Sequence, residues 1–505
     1  MGRRMIRRAK FVESQTVDLQ VDFRDFGPIA SGQVSLRPLT LMIGPNNSGK
    51  SYAAMFLDAL LKAHDPLSDP KDFLSDIVFP YPDRRRNPVA RGLETRISDL
   101  RDGEALDVEW EVLSKIAETL VGLVYGGRLA RLMRRSFQAD PKNLCRAPRP
   151  IFDTTIVSTT HEVKVASSEQ GLATRGLFLK EAGRFSCRFV RDDSLPVEEE
   201  VEYGGTRGEA VVFKFRGSFP ETKGEALFGS RILMELYSNA RTQLRRNIPS
   251  QAYYLAAARS GIVQSYQALV PAVIEEHADL TAAGRSVYRA PGAYYDFLSF
   301  LTRIPKAEGP FSQLADEFAR ECLKGSVDVK RVAEYGLPQI TYSLAQAEVP
   351  LTRASSSVTE LVPLLLYIKY EVKHGSVLTI EEPEAHLHPE NQRLLAKFLV
   401  RLVRGGVNLV ITTHSDYLLE QLNHFIMLDK VPREKRPKEY LHEDLFLKPE
   451  EIAAHVFCYD KRSKGYKIKQ LEVIPETGIS EEEFLRIYEV LYEELYSIES
   501  NIASQ

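Results

Sequence analysis

The sequence has little of what marks secreted, membrane-spanning or strongly basic proteins. Only four of its 505 residues are cysteines: Cys145, Cys187, Cys322 and Cys458. Because they include no C-x-x-C pair, they predict a reduced, cytoplasmic chain rather than a disulfide framework or zinc site. No apolar stretch reaches the roughly 18 residues of a membrane-spanning helix, and no signal-peptide core follows the basic amino terminus. Lys and Arg number 66 against 69 for Asp and Glu, so no overall basic charge points to nucleic acid. We expect no membrane partner.

The rest of the composition is that of an ordinary globular protein. Apolar residues make up 44% of the chain and charged residues 27%. A chain of this length can hold about two to four domains with cores of their own. Function must therefore be sought in local motifs.

The first motif lies where an apolar run, residues 39–43, meets the segment GPNNSGKS and then a helical pattern. This is G-x-x-x-x-G-K-S in its strand, loop and helix context, and both Lys50 and Ser51 are in register, which disfavours a ligand-free glycine turn. Such a loop wraps a phosphate chain with its N–H groups and the positive helix end. We expect Lys50 to reach the β and γ phosphates of ATP and Ser51 to offer its hydroxyl to Mg²⁺. The predicted nucleotide contacts are Gly44, Pro45, Asn46, Asn47, Ser48, Gly49, Lys50, Ser51 and Tyr52.

The second motif is a pair of acids behind another apolar run, VLTIEE at 377–382. Buried acids are costly unless a cation or a reaction uses them. Glu381 is predicted to serve Mg²⁺ together with Ser51 and bound water, and Glu382 to act as the general base. An alternative is a metal site formed by Glu381, Glu384, His386 and His388. Pro383 interrupts any helix that would align those side chains, which disfavours this alternative.

A helix and a third strand follow these acids. Pro389 is suited to a helix start, and the apolar face of that helix continues until Gly405 and Gly406. The run from Val407 to Thr412 then predicts a buried strand that ends near His414. At a sheet edge that carries a phosphate loop, this histidine is expected to sense the γ phosphate.

In these segments the chain resembles ABC-type ATPase heads of the SMC, RecF and OLD-nuclease class. The resemblance is strongest to the OLD/Gabija-like AAA ATPase domain of bacterial and archaeal defence proteins. IGPNNSGKS matches Walker A, VLTIEEPE Walker B, AHLHP the D-loop and TTHSDYLL the switch-histidine segment. The resemblance implies an α/β fold of the P-loop NTPase, ABC/SMC-head-like type. It would have a mixed sheet with an antiparallel β lobe, a helical insertion and a small C-terminal hairpin and helix.

The segment LTRASSSVTELVPLLLYIKY at 351–370 resembles the signature of the same class. The resemblance implies that Ser355 and Ser356 cap the γ phosphate held by another protomer, so that ATP joins heads into a homodimer or higher oligomer. A plain serine N-cap is the alternative. Ser357 stands where relatives usually carry glycine, which implies a weaker clamp and slow turnover if that position needs a positive φ or very close backbone approach.

The segment AYYLAAARSGIVQSY at 252–266 resembles the region that carries the Q-loop. Gln264 and Gln251 compete for the role of that glutamine. Arg259 is interpreted either as a structural ion pair or as a phosphate contact.

The motifs divide the chain into expected parts. These are ATPase lobe I with Walker A at 11–64, a mainly helical insertion at 65–148, a β-rich part of lobe I with a connecting helix at 149–260, a helical insertion at 261–330, ATPase lobe II at 331–430, and a C-terminal hairpin and helix at 431–505. We expect the hairpin to turn at residues 463–465 and the last helix to begin with a capping box formed by Ser480 and Glu483.

The resemblance implies an ATP-hydrolysing switch. No Asp-x-Asp occurs after residue 416, so we expect no Toprim nuclease in this chain and a separately encoded effector, such as a Toprim-type nuclease, in anti-phage or genome defence. The alternative is a RecF/SMC-like repair ATPase that binds DNA through basic clusters, although a solvated charged face is favoured. A degenerate ATPase that only binds nucleotide is a third hypothesis. The basic clusters are Arg84, Arg85 and Arg86, and Arg128, Arg131, Arg134 and Arg135.

Overall fold

The computed structural model of the protein describes most of the predicted motif regions. The described residues are 19–64, 101–109, 132–138, 251–257, 259–265, 292–330, 338–345, 347–440, 445–480 and 482–503, the single residues 96, 99, 129 and 144, and the backbone of six strands between 153 and 215. Most of the mainly helical insertion expected at 65–148 and the connecting helix expected within 149–260 lie outside them.

The strands, numbered along the chain, are β1 (Leu19–Phe26), β2 (Ile29–Leu36), β3 (Leu39–Ile43), β4 (Ala105–Glu109), β5 (Asp153–Ser158), β6 (His161–Ser168), β7 (Gly171–Leu177), β8 (Ser186–Arg191), β9 (Val201–Gly204), β10 (Val211–Phe215), β11 (Ala252–Leu255), β12 (Ser326–Lys330), β13 (Gln339–Leu344), β14 (Ala347–Pro350), β15 (Val377–Glu381), β16 (Asn408–Thr413), β17 (Ile452–Asp460), β18 (Gly465–Leu471), β19 (Val473–Ile474) and β20 (Gly478–Ile479). The α-helices are α1 (Lys50–His64), α2 (Gly292–Thr302), α3 (Ser312–Phe318), α4 (Ser356–Tyr370), α5 (Pro389–Arg404), α6 (Asp416–Met427) and α7 (Glu482–Ala503).

One mixed sheet dominates the described residues. Its eleven strands follow the order β11, β15, β16, β3, β17, β18, β2, β1, β5, β6, β7. The first five are mutually parallel, whereas β2, β1, β5, β6 and β7 form an antiparallel extension. Smaller sheets contain β4, β8, β10 and β9, then β12 to β14, then β19 and β20. The predicted α/β class with a mixed sheet and an antiparallel lobe is therefore confirmed.

Helices cover both faces of the parallel part because its strands are apolar on both sides. On β16, Leu409 and Ile411 pack into the cluster formed with α2 to α6, whereas Val410 packs into the cluster formed with α1. All residues of β3, β15 and β16 are buried. This double burial fixes the register of the strands, because a shift by one residue would exchange the two faces.

The two ends of α5 agree with the predicted helix signals. The helix begins at Pro389 and ends at Arg404, and its N-cap His388 accepts a hydrogen bond from the Glu390 amide at 3.3 Å. Gly405 and Gly406 follow directly, with Gly406 at φ +82°. Proline at the first helical position and glycine beyond the last one are typical of such ends.

The C-terminal hairpin and helix are also present. β17 and β18 pair antiparallel from Ala454 with Leu471 to Asp460 with Gly465, around the predicted turn. On α7, Leu491, Leu495 and Ile498 are 53%, 49% and 57% exposed, so these apolar side chains are not part of the described core. Within the described residues, no helix is both long enough and apolar enough to cross a bilayer.

Candidate functional site

Three neighbouring parallel strands bring the two main motifs to one edge of the sheet. β16 lies between β15 and β3, with Glu381 opposite Thr412 and Thr413 opposite Ile43. The acids follow β15 and the phosphate loop follows β3, so two interstrand spacings, about 10 Å, separate these strand ends. The predicted meeting of the loop with Glu381 and Glu382 is therefore observed.

The phosphate loop, residues 44–49, needs its glycines. Gly44 has φ +143° and Gly49 has φ +102°. A Cβ atom on Gly44 would lie 2.8 Å from the carbonyl oxygen of Phe457, and one on Gly49 would lie 2.7 Å from Cγ1 of Ile29. Asn47, at φ +60°, takes a left-handed conformation that asparagine tolerates. The loop is therefore a close-packed turn that leads into α1.

Lys50 begins α1 and crosses back over the loop. Its Nζ donates hydrogen bonds to the carbonyl oxygens of Gly44 at 2.9 Å and Pro45 at 2.8 Å. Burial lowers the pKa of Lys50 to about 8, although the nearby charges of Glu382, Glu381 and Glu384 act in the opposite direction. Because these three charges act on the pKa of Lys50, the acids and the loop lie in one site.

Two serine hydroxyls complete the loop. Ser51 is exposed at the start of α1, whereas the Oγ of Ser48 is buried and has no hydrogen-bond partner among the described residues. Tyr52 packs edge-on against Phe26, with ring centroids 5.8 Å apart, and its ring fills the space beside Gly27. The hydroxyls can serve a ligand, while the Tyr52 ring supports the loop.

Glu381 has one carboxylate oxygen held and one free. Oε2 accepts a hydrogen bond from the Ala257 amide at 3.2 Å. Oε1 is buried and has no hydrogen bond of good geometry within the described part of the chain, although the buried Tyr254 hydroxyl is close enough to interact with this carboxylate. A buried, unpaired carboxylate oxygen is costly, and oxygen ligands are those Mg²⁺ prefers. With the exposed Ser51 hydroxyl, this donor set fits a magnesium ion.

Glu382 and His414 face each other at the sheet edge. Glu382 Oε1 lies 3.3 Å from His414 Nε2, and this hydrogen bond is the main cause that holds the pKa of Glu382 below its usual value. The Glu382 side chain is 38% exposed, so a water molecule can reach it. The carboxylate is therefore ionised at neutral pH and can accept a proton.

The backbone of Glu382 is strained. Its φ is +43°, a left-handed conformation that costs about 1–2 kcal/mol for a residue with a side chain. Its amide donates to the carbonyl oxygen of Thr412 at 2.9 Å, which ties it to β16. Strain of this kind often accompanies function. Here the strained residue carries the carboxylate that faces His414.

Glu384 holds the end of β16 rather than a metal. Its Oε1 accepts hydrogen bonds from Thr413 Oγ1 at 2.6 Å and from the His414 amide at 2.9 Å, and burial raises its pKa. Across the described ranges, no three His, Cys, Asp or Glu side chains are grouped to bind a metal ion. These residues therefore do not assemble the alternative metal site.

The three serines of the predicted signature lie at the start of α4. Ser355 is the N-cap but makes no side-chain capping bond, and its Oγ lies 3.1 Å from Ser357 Oγ. Ser355 and Ser356 are exposed, so both residues at the start of the helix are accessible to solvent. Ser357 is helical and has no positive φ, so the backbone strain considered for a serine at this position is absent.

In the region that resembles a Q-loop, the contacts of Arg259 decide between its two interpretations. Its guanidinium is 1% exposed and forms an ion pair with Glu360, with Nε 3.1 Å from Oε2. It is therefore a structural ion pair and not a phosphate contact. Gln251 precedes β11, where its carbonyl oxygen accepts from the Val377 amide, at the sheet edge opposite the site. Gln264 is exposed in the helical residues 259–265 and remains the candidate glutamine.

Sequence reasoning missed Glu360. It is 1% exposed and lies in α4 one helical turn after Ser356. A signal for it existed, because it is the one acid in the run VTELVPLLLYI, where a charge needs a buried partner.

The predicted basic clusters are only partly described. Arg135 forms an ion pair with Asp296 at 2.5 Å, and Arg134 is exposed. Arg84, Arg85, Arg86, Arg128 and Arg131 lie outside the described residues, so their role in DNA binding stays a prediction.

Residues 291–419 match the family model AAA_15, an AAA ATPase domain. The match contains Glu382, His414 and the serines of α4 and supports an ATPase, while the phosphate loop lies before it. No curated protein sequence matches the chain.

Solved structures of SMC head domains are similar over most of the chain. The SMC head domain from Thermotoga maritima is 11% identical, covers 90% of this chain and 100% of its own, and has a TM-score of 0.33. The Smc head with an extended coiled coil bound to the C-terminal domain of ScpA, from Pyrococcus furiosus, is 12% identical, covers 94% and 99%, and has a TM-score of 0.34. A further Smc head, bound to the C-winged helix domain of ScpA, is 11% identical to this chain and has a TM-score of 0.37. The similarity covers 91% of this chain and 98% of the Smc head. The fold assignment rests on the strand order and the phosphate loop, not on these superpositions.

Proposed function

We propose that the chain is an ATP-hydrolysing molecular switch whose heads associate around ATP. The observation that carries the proposal is the meeting of Lys50 with Glu381 and Glu382 at one sheet edge, where the acids act electrostatically on the lysine. Residues 11–64 and 331–430 then supply the two halves of one ATPase unit.

In this proposal the loop holds the triphosphate. The N–H groups of residues 44–49 and the start of α1 attract the phosphates, and Lys50 exchanges its two carbonyl partners for phosphate oxygens. Ser51 and Glu381 would hold Mg²⁺, which when bound neutralises charge that develops between the β and γ phosphates.

Glu382 is the proposed general base. Its ionised, solvent-accessible carboxylate takes the proton of the attacking water, while His414 keeps the carboxylate oriented. The Glu384 contacts to Thr413 and the His414 amide fix the position of the histidine. The site therefore holds a base, an orienting group and a phosphate clamp on three adjacent strands.

Association of heads is supported by the exposed start of α4. Ser355 and Ser356 are exposed at a helix start that has no side-chain cap, and a helix N-terminus attracts anions. In a homodimer or larger oligomer they would contact the γ phosphate bound by another copy.

The direct test combines ATP binding, turnover and molecular mass. The wild type should bind and hydrolyse ATP with Mg²⁺, and its mass should at least double when ATP is bound. Ser356→Glu places a negative charge at the start of α4 and should reduce association and turnover without weakening ATP binding to the monomer. Full association by this variant would contradict the proposed role of α4.

The setting of this switch is a further part of the proposal. We infer that the chain is an OLD/Gabija-like ATPase and propose that it controls a separate effector, such as a Toprim-type nuclease, in anti-phage or genome defence. Co-purification from the native host with the product of a neighbouring gene supports this setting. ATPase stimulation by duplex DNA that falls steeply with salt, without such a partner, would instead favour the RecF/SMC-like repair alternative.

A further inference from the structure

Arg259 lies in the interior next to the acids but does not touch the phosphate loop. All three of its guanidinium nitrogens are used. Nη1 donates to the carbonyl oxygens of Ala256 at 3.1 Å and Glu381 at 2.6 Å, and Nη2 donates to the carbonyl oxygen of Glu382 at 3.0 Å. The planar fork thus holds two consecutive carbonyl groups at the end of β15.

The third nitrogen joins this fork to α4. Nε donates to the carbonyl oxygen of Glu360 at 3.1 Å and lies equally close to its Oε2. Oε1 of Glu360 accepts from the Ser260 amide at 3.2 Å. Burial lowers the pKa of Arg259, and the Glu360 charge counteracts this most strongly. A fully buried pair of this kind is weak evidence for stability, because desolvation offsets its attraction.

The fork acts where the backbone is strained. Glu382 has a left-handed φ, and its two peptide groups are held from opposite sides, its amide by Thr412 and its carbonyl oxygen by Arg259. The same carbonyl oxygen also accepts from the Ala385 amide at 3.0 Å, but that bond lies within the turn that follows β15. Arg259 is therefore the contact that ties this carbonyl group to a distant segment of the chain, and the direction of the Glu382 carboxylate towards His414 depends in part on it.

We propose that Arg259 is a positioning residue for Glu382, and that Glu360 makes this positioning depend on α4. This inference rests on the proposed function of Glu382 and Ser356. Glu360 lies one turn after Ser356, whose carbonyl oxygen accepts from Thr359 Oγ1 at 3.0 Å. A displacement of the helix start when it meets another copy's nucleotide is passed through Glu360 and Arg259 to the base.

Arg259→Lys tests the fork. A lysine ammonium can reach Glu360 or one carbonyl group but cannot hold two consecutive carbonyls in a plane. We expect the turnover number to fall by about 10- to 100-fold, as for a misplaced catalytic group, while affinity for a fluorescent ATP analogue changes by less than about threefold. A drop in affinity as large as the drop in turnover would show general structural damage and overturn the inference.

Arg404→Lys is the matched control. Arg404 forms an ion pair with Glu451 at the end of α5, with side chains 7% and 12% exposed. The substitution makes the same chemical change in a partly buried pair outside the site. Its turnover should equal that of the wild type. A loss like that of Arg259→Lys would mean that any buried ion pair has this effect.

A second readout does not depend on turnover. Hydrogen exchange of the peptide that contains the Glu382 amide should be faster in Arg259→Lys than in the wild type and in Arg404→Lys. Unchanged exchange and unchanged turnover together refute the positioning role. If the wild type itself fails to hydrolyse ATP, the proposed function falls, whereas faster exchange would still show that Arg259 holds this backbone.

Glu360→Gln tests whether α4 influences Glu382 through Arg259. It also provides a second test of the inference if Arg259→Lys does not fold. Glutamine keeps an acceptor of the same shape but removes the charge that faces Arg259. We expect a smaller loss of turnover in the same direction, and a double variant no slower than Arg259→Lys alone, because the two residues act through one path. Multiplied losses in the double variant, or wild-type turnover in Glu360→Gln, would remove Glu360 from the inference.

Discussion

Replacing Glu382 by glutamine removes the proposed base and little else. The amide side chain has the shape of the carboxylate and can still approach His414, which lies 3.3 Å from Glu382 in the wild type. The backbone contact with Thr412 does not involve the side chain. Loss of a general base reduces turnover by about 100- to 10,000-fold, equivalent to about 3–5 kcal/mol in the barrier. Affinity for ATP should be retained, since Lys50 and residues 44–49 are unchanged.

The assay measures steady-state ATP turnover, ATP affinity and mass on the same preparation. Glu382→Gln should bind ATP as the wild type does, hydrolyse it at least about 100-fold more slowly, and stay in the ATP-associated oligomer for longer. Glu390→Gln, at an exposed position in the first turn of α5, is the control and should bind and hydrolyse ATP as the wild type does. If Glu382→Gln and the wild type both bind ATP and hydrolyse it equally slowly, the base is another group or the protein only binds nucleotide.

Three further results are expected. ATP affinity should fall as pH rises above about 8, because free Lys50 then loses its proton; Lys50→Met should bind weakly and without this dependence in a titration series. Folding stability should fall by about 3 kcal/mol as pH drops from about 6.5 to about 4. The reason is that buried His455, with its pKa lowered to about 4, stays neutral while the unfolded chain takes up a proton. In denaturation experiments, the free energy of unfolding of His455→Gln should depend less on pH. Gly44→Ala should reduce ATP affinity by more than about tenfold, because its Cβ atom would contact a backbone oxygen. Gly375 also has a positive φ but faces open space, so Gly375→Ala should reduce only the folding stability. Equal ATP affinities of these two variants would refute the need for glycine in the loop.

Local signals were enough for most individual elements. The phosphate loop, the acids after β15, the start of α5 at Pro389 and the C-terminal hairpin all follow from residues within one short segment. Each depends on turn chemistry or on the alternation of apolar residues, which act over a few positions. The α/β class was implied by the resemblance of these motifs to ABC-type ATPase heads.

Roles that depend on neighbours could not be assigned in this way. Glu384 was a candidate metal ligand only in the disfavoured alternative with Glu381, His386 and His388, and its actual role, holding Thr413 and the His414 amide, had no local signal. Arg259 was equally compatible with a phosphate contact until its partner Glu360, 101 positions away, was located. The positive φ of Glu382 has no sequence signal, because strain of this kind is imposed by surrounding contacts.

The amino-acid order alone identifies the segments that carry the chemistry, namely the glycine loop with Lys50, the acid pair and His414, and it predicts that they meet. The folded chain shows how they meet, because β16 lies between β15 and β3, and strand order depends on long-range pairing that no local pattern records. The contact of Arg259 with both the acids and α4 is decided in the same way, by which strands and helices become neighbours.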